Sequence, residues 1–168
     1  KIWRHILNSA GIERFPQYHF DMVRLGIGLH GISATHANLQ PVSSFKTYIS
    51  SIRKVPEGQS IGYGRKSYTT RPSRIAVIPV GYADGLNRHL SNRVGNVFIK
   101  GKRVPIIGNI CMDTCMIDVT DTNAAIGDEV EIFGKHILVS ELSEQLGTIP
   151  YEILTGISHR VKRVYYKE

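Results

Sequence analysis

Cysteine is scarce in this chain of 168 residues, which contains only Cys111 and Cys115. The two lie four positions apart in an apolar segment, and reduced thiols in the protein core are the expected state. A zinc site would need more ligands at suitable spacing. The seven histidines also lack metal-binding order, because no H-E-x-x-H pattern occurs. We therefore predict no metal site.

Long hydrophobic runs are also absent. The longest, such as residues 75–80, are far too short to span a bilayer. The start of the chain lacks the charged-then-apolar pattern of a secretion signal. We therefore expect a cytoplasmic protein with no membrane partner. The apolar content of 42% is sufficient for one packed domain with a smaller piece attached.

The net charge of +7 raises the question of a nucleic-acid surface. The basic residues are scattered, however, over 53–54, 65–66, 100–103 and 160–163. Such short groups are typical of solvated turns and strand edges, so we predict no nucleic-acid partner. The alternative is a non-catalytic basic β module that binds an acidic partner or nucleic acid, with steep salt dependence.

Two kinds of pattern follow each other along the chain. Residues 3–7 and 22–29 read as strands, with a segment between them that Pro16 interrupts. Two strand-loop units cannot close a barrel by themselves. From about residue 42, short runs rich in Val, Ile and Tyr predict strands at 45–55, 74–81, 97–100, 103–107, 111–119, 129–133 and 161–166.

Turn and cap signals complete this β region. Residues 100–102 (Lys-Gly-Lys) predict a tight hairpin turn. Ser140 predicts the N-cap of a short helix that Gly147 ends. Pro150 predicts the first position of a second helix that ends at Gly156. The region is therefore predicted to be a closed or sandwich-like β domain with two short helices.

Residues 26–31 satisfy the pattern G-x-G-x-x-G. A dinucleotide site needs this turn to open an amphipathic helix, with an acidic residue about 20 positions later. Neither feature follows, and Pro41 breaks the next segment, so we reject that interpretation. A phosphate-binding loop after a barrel strand and tight packing at a strand end both remain open.

Three glycine-punctuated or apolar segments hold a phenol or a carboxylate: 61–65 around Tyr63, 80–85 around Tyr82, and 110–113 ending in Asp113. Side chains fixed by such turns are candidates for chemistry. A free phenol is a weak base at neutral pH unless a cation or hydrogen-bond donors stabilise its anion. Tyr63 is therefore either a turn residue or a base. Strand alternation gives Asp113 the parity of the apolar residues around it, so this carboxylate is paired, or the strand is broken there.

Arg24 stands among Val23, Leu25 and Ile27. A buried arginine requires a partner for its charge; otherwise its side chain reaches the barrel rim. His5 is either a core histidine or a site residue.

The order of these motifs resembles the C-terminal domain of alanine racemase. The start of the chain (5–11 and 22–29) resembles the last two strand-loop units of that family's barrel, and 150–155 and 160–164 resemble its end. The resemblance implies a mainly β fold preceded by a remnant of an α/β (TIM-type) barrel. It places the barrel remnant at 1–34 and the β domain at 35–168.

The resemblance also implies residue roles. Tyr63 would be the second catalytic base, entering the active site of the partner subunit. Tyr82 would stand at the entrance, and Met112 and Asp113 at the substrate end. The implied contacts to pyridoxal 5'-phosphate (PLP) are Arg24 at the pyridine nitrogen, His5 beside it, and Ser9, Gly26 and Ile27 at the phosphate.

Two positions depart from the family pattern. His159 stands where many relatives carry a tyrosine that touches the phosphate, and His30 stands at another position where tyrosine is frequent. The resemblance implies a homodimeric, PLP-dependent enzyme that interconverts L- and D-alanine for peptidoglycan synthesis. The lysine that binds the cofactor in the family would lie far upstream, so the chain is expected to be a fragment that is inactive alone.

Overall fold

The computed structural model divides into two units, Lys1–Ser44 and Phe45–Glu168. The structure describes residues 2–35 and 38–166. None of the helices in this described part is long and apolar enough to cross a membrane.

The described part of the first unit contains one helix, α1 (Ser9–Arg14), and two 3-10 turns, Pro16–Tyr18 and Ile27–His30. The side chain of Asn8 caps α1 by accepting a 3.0 Å hydrogen bond from the Gly11 N–H. The predicted strands at 3–7 and 22–29 are wrong, because no strand occurs in the described part of this unit. Within the described residues, one backbone hydrogen bond joins the two segments, from the Arg24 N–H to Leu7, and a second, from the Asp21 N–H to Arg4, lies just before residue 22. These two bonds do not make a ladder.

The second unit is built on antiparallel strands. They are β1 (Phe45–Tyr48), β2 (Ser51–Val55), β3 (Ser60–Ile61), β4 (Ser67–Tyr68), β5 (Ser73–Ile78), β6 (Asn96–Ile99), β7 (Lys102–Ile107), β8 (Cys115–Asp118) and β9 (Glu129–Phe133). Seven of them form one sheet in the order β1-β9-β6-β7-β8-β5-β2, and β3 pairs with β4 in a separate ribbon.

The large sheet curls so that its two ends meet. β1 and β2 lie at opposite edges of the strand order, yet only Ile49 and Ser50 separate them in the chain. The Ile49 N–H donates to Asp128 beside β9, and the Ser50 N–H donates to Val77 in β5. Apolar residues on the inner face, including Ile78, Val97, Ile106 and Ile117, are almost completely buried. The prediction of a mainly β domain is confirmed.

The turns and helices follow the local sequence with two exceptions. Lys100 and Gly101 both have positive φ and form the predicted hairpin turn between β6 and β7. The helices are α2 (Val139–Gln145) and α3 (Pro150–Thr155), which begins at Pro150 and has Gly156 as its C-cap, as predicted. Ser140 is not the N-cap of α2, because Leu138 holds that position. The strand predicted at 161–166 is wrong, because no partner strand pairs with this largely exposed segment in the described chain.

Candidate functional site

Tyr63 lies at the tip of the turn between β3 and β4. Gly62 and Gly64 flank it with φ values of 74° and 75°, a region that L-amino acids with side chains avoid. This backbone turns the ring outward, so that 77% of Tyr63 is exposed. Its hydroxyl makes no hydrogen bond to any residue within 2–35 or 38–166.

A chain of neutral side chains fixes this turn. The Asn109 Nδ2 donates to the Tyr63 carbonyl at 2.7 Å, and its Oδ1 accepts from the Asn92 Nδ2 at 3.0 Å. The Ser67 hydroxyl donates in turn to the Asn92 Oδ1 at 2.8 Å. Asn109 is only 9% exposed, so its amide is held in place by burial as well as by hydrogen bonds.

The segment 109–114 connects β7 to β8 and carries Met112 and Asp113. The Cys111 N–H donates to the Thr114 carbonyl at 2.9 Å, closing a turn. The strand therefore begins at Cys115, and the prediction of a strand over 111–119 is wrong at its start. Because Asp113 lies in the turn and not in the ladder, its side chain is largely exposed.

The Tyr82 turn packs directly on this segment. The Tyr82 and Ala83 N–H groups donate to the carbonyls of Cys111 and Met112, both at 3.0 Å. Gly81 permits the approach, because a Cβ at this position would lie 2.3 Å from both carbonyl oxygens. The two turns are therefore joined through their backbones.

Arg160 adds an ionic connection to the same two turns. Its Nε donates to the Asp84 Oδ1 and its Nη2 donates to the Asp113 Oδ1, both at 2.7 Å. The other oxygen of Asp84, Oδ2, accepts from the Gly81 N–H at 2.9 Å. The hydrogen bonds to Asp84 and Asp113 raise the pKa of the Arg160 guanidinium, which stays charged.

These segments line one open pocket with a volume of about 540 Å³. Four residues predicted from the sequence lie together in its wall: Tyr63, Tyr82, Met112 and Asp113. Others had not been predicted as site residues: Arg88, Asn109, Ile110, Cys111 and Thr114. The pocket thus combines phenols, a carboxylate and a cation, which suits a small ligand that carries both charges.

The two cysteines differ in their surroundings. Cys111 lies half-buried in the pocket wall, and Cys115 is buried at the start of β8. Burial raises the pKa of the Cys115 thiol to about 12, so this thiol is protonated at neutral pH. No group of three or more His, Cys, Asp or Glu side chains suited to a metal ion occurs in the described part of the chain.

In the first unit, the structure brings Ser9 next to the glycine-rich turn. The Ser9 Oγ accepts from the N–H groups of Gly26 at 2.8 Å and Gly28 at 3.2 Å. Neither the Ser9 hydroxyl, which is buried, nor the Ile27 N–H donates a hydrogen bond within the described chain. Both therefore remain available to an acceptor.

The remaining predicted cofactor residues are exposed. Arg24 is not buried in a strand as its apolar neighbours suggested; its Nη2 donates to the Ile6 carbonyl at 3.1 Å. His5 is exposed in this chain, and its assignment as a core or site residue stays a prediction. His159 is exposed beside Arg160. The His30 ring lies 3.4 Å from the Ser43 hydroxyl.

Among the residues that the sequence did not predict, Asn109 and Arg160 hold the predicted site residues in place through long-range contacts. Arg160 is 47 positions from Asp113 and 76 from Asp84, so no local pattern connects them. Asn109 lies close to Asp113 in sequence, but its contact with Tyr63 spans 46 positions. Only the fold of the sheet brings these residues together.

Known proteins match the chain over nearly its whole length. The family described as alanine racemase, C-terminal domain, matches residues 42–165. Alanine racemase 2 of Caldanaerobacter subterraneus subsp. tengcongensis is 48% identical over 96% of the chain and 44% of its own length. The alanine racemase of Methanococcus maripaludis is 45% identical over 96% of the chain and 46% of its own length.

Solved structures give the same result. The alanine racemase of Bartonella henselae, with covalently bound pyridoxal phosphate, has a TM-score of 0.91 at 37% identity and covers 99% of this chain and 47% of its own. The Bacillus anthracis enzyme with bound L-Ala-P has a TM-score of 0.88 at 36% identity over 95% of this chain and 43% of its own. The chain spans slightly less than half the length of these relatives. It belongs to the alanine racemase family and corresponds to the C-terminal domain of that family together with the segment preceding it.

Proposed function

We propose that this chain is the C-terminal part of a PLP-dependent alanine racemase that interconverts L- and D-alanine. The observation that carries the proposal is the convergence of Tyr63, Tyr82, Met112 and Asp113 on one pocket in a chain of this family. The related Bartonella henselae structure holds covalently bound pyridoxal phosphate and the Bacillus anthracis structure holds L-Ala-P, which supports both assignments.

The first unit fits the phosphate of PLP. The Ser9 hydroxyl accepts two N–H groups and keeps its own hydrogen for an acceptor, and the Ile27 N–H is also available. These donors suit a phosphate, which accepts from backbone N–H groups and hydroxyls.

Three further residues are proposed to hold PLP. Arg24 would face the pyridine nitrogen, and because a guanidinium retains its protons, Arg24 can only donate to it. His5 would help connect Arg24 with the tyrosine base. His159 would face the phosphate in place of the tyrosine of many relatives, and as a histidine it can add positive charge there. When bound, PLP supplies the electron sink that makes the α-proton of alanine removable.

Tyr63 is proposed to move that proton on one face of the substrate. Its ring is 77% exposed and its hydroxyl makes no hydrogen bond in the described chain. The side chain is therefore free to reach another surface, which supports the proposal that Tyr63 completes a site on a partner subunit. A lysine outside this sequence is the proposed base on the opposite face.

The pocket wall is proposed to receive alanine. Asp113 and Met112 would stand at the substrate end and Tyr82 at the entrance.

Part of the basic character of the chain is neutralised locally, because Lys100 pairs with Asp128 and Arg103 pairs with Glu141. We therefore propose no nucleic-acid partner. The proposed role is D-alanine supply for peptidoglycan in the cytoplasm, and this chain alone is expected to be inactive.

Tyr63→Phe in the full-length protein tests the catalytic proposal. Removing the hydroxyl should slow racemisation by about 10²–10⁴-fold, the usual contribution of a positioned acid or base. Solvent deuterium incorporation should become strongly biased between the two enantiomers, with PLP absorbance retained. Tyr68→Phe, at a tyrosine in the adjacent strand β4, is the matched control. Unchanged rates in both directions would remove Tyr63 from the mechanism.

Mixed dimers test the proposed partner subunit. One variant of the full-length protein lacks the cofactor lysine, and the other carries Tyr63→Phe. If each subunit completes the site of the other, coexpression should produce some dimers with one intact site and should raise activity above that of either variant. No recovery in purified mixed dimers would place each site within one subunit.

A further inference from the structure

We propose that Arg160 is a positioning residue that sets the substrate end of the pocket by holding Asp113 against the Tyr82 turn. This inference deepens the proposed function and rests on it. Its starting point is that one guanidinium contacts two carboxylates on separate segments, Asp84 and Asp113, at 2.7 Å each. Arg160 thereby connects three parts of the chain that lie far apart in sequence.

The Asp84 end of this connection is rigid. Only 12% of the Asp84 side chain is exposed. Its second oxygen accepts from the Gly81 N–H, and its backbone carbonyl accepts from the Ser158 N–H at 3.2 Å. A buried carboxylate with all these contacts is a fixed anchor, because displacing it would leave polar groups unpaired.

The Asp113 end is the adjustable one. Its side chain is 60% exposed, and no other cation pairs with it in the described part of the chain. Without Arg160, the carboxylate would be free to leave its place in the pocket wall, and the segment would keep only its backbone contacts with Tyr82 and Ala83. Arg160 therefore transmits the rigidity of Asp84 to the residue proposed to face the substrate.

Only arginine can make this connection. The guanidinium presents Nε and Nη2 in a fixed fork, so that one group donates to two carboxylates at once. The single ammonium of a lysine would serve one of them well and the other poorly. Arg160→Lys should therefore keep the charge and lose the two-point geometry.

The experiment compares Arg160→Gln, Arg160→Lys and Arg103→Gln in the full-length protein. Arg103 is the matched control, because it also joins a carboxylate, Glu141, and its side chain is 47% exposed, against 46% for Arg160. Arg160→Gln should raise the KM for alanine about tenfold, the order expected for a lost charged hydrogen bond, with a smaller fall in kcat. Arg160→Lys should show an intermediate rise, and Arg103→Gln none.

A second measurement does not depend on activity. The Tyr82 and Ala83 N–H groups bond to the Asp113 segment, so their hydrogen exchange reports whether that segment stays in place. Exchange should be faster in Arg160→Gln and unchanged in Arg103→Gln. In a double-mutant cycle with Asp113→Asn, the two effects on exchange should not add.

The outcomes separate this inference from the proposed function. If the wild-type protein racemises alanine and Arg160→Gln has a normal KM, the positioning role is wrong and the function stands. If the wild-type protein does not racemise alanine, the proposed function is wrong, and the role assigned to Arg160 toward substrate is withdrawn with it. Unchanged exchange at Tyr82 and Ala83 overturns the inference in either case.

Discussion

The two sides of the pocket are held by different physical means. The Tyr63 turn depends on positive-φ glycines and on neutral amide contacts through Asn109 and Asn92. The Asp113 segment depends on close backbone packing against Gly81 and on the two-carboxylate contact of Arg160. Neutral contacts are nearly independent of salt, whereas exposed charge pairs are screened.

This difference suits what each side is proposed to do. Tyr63 is exposed and is proposed to reach another surface, so its own unit need only hold the backbone and leave the ring free. Asp113 is proposed to face a small charged substrate, so the side chain itself must be placed. Asn109 therefore bonds to the backbone carbonyl of Tyr63, whereas Arg160 bonds to the side-chain carboxylate of Asp113.

The largest effect on stability is expected from Gly81→Ala on the Asp113 side of the pocket, compared with Gly62→Ala on the Tyr63 side. Gly81→Ala would place a Cβ 2.3 Å from two backbone carbonyl oxygens, which cannot move like a side chain, so we expect a loss of about 3 kcal/mol. Gly62 has a positive φ, and a Cβ added there would first meet the flexible end of Met116 at 3.0 Å. We therefore expect Gly62→Ala to lower the free energy of unfolding by about 1 kcal/mol. Thermal unfolding of both variants measures the difference.

Gly101→Ala is the control for these two glycines. Its φ of 78° matches that of Gly62, and nothing lies within 4 Å of the added Cβ, so only the backbone cost of about 1 kcal/mol remains. Equal losses for Gly81→Ala and Gly101→Ala would show that the 81–85 turn is not packed on the Asp113 segment in solution.

The sequence was sufficient for features that short segments determine. The β6–β7 hairpin, the start of α3 at Pro150, and the glycine turn around Tyr63 all followed from neighbouring residues. The start of β8 did not, because alternating apolar residues continued into a turn that the Cys111–Thr114 hydrogen bond closes. The contacts of Arg160 with Asp113 and of Asn109 with Tyr63 could not be predicted, because each joins residues more than forty positions apart.

An intermediate effect is expected for Asn109→Ala. The substitution removes the hydrogen bond to the Tyr63 carbonyl, so it should lower the free energy of unfolding by about 1–2 kcal/mol. It should also lower kcat. Because the contact is neutral, the loss of stability in Asn109→Ala should be the same at low and high salt. The loss of stability in Arg160→Gln should shrink at high salt, because charge pairs are screened. Asn92→Ala, which leaves the Tyr63 contact in place, should affect kcat less. Equal salt dependence for Asn109→Ala and Arg160→Gln would break the comparison.

The smallest effect concerns the thiols of the Asp113 side. At pH 8, a thiol reagent should modify Cys111, which is half-buried in the pocket wall. Cys115 should not react, because burial raises its thiol pKa to about 12 and only the thiolate is nucleophilic. Peptide mapping by mass spectrometry distinguishes the two positions. Modification of Cys115 in the folded protein would show that β8 opens at its start.

The curl of the sheet also has a consequence for synthesis on the ribosome. β1 is among the first strands of the second unit to be made, yet Phe45 pairs with Phe133 in β9, the last strand. At about 5–20 residues per second, β1 waits roughly 4–18 s for its partner. Lys46 places a charge within that waiting strand, which discourages pairing with other nascent chains. The last strand to emerge thus completes the sheet, and until then the edge of β1 has only its own charge against pairing with other chains.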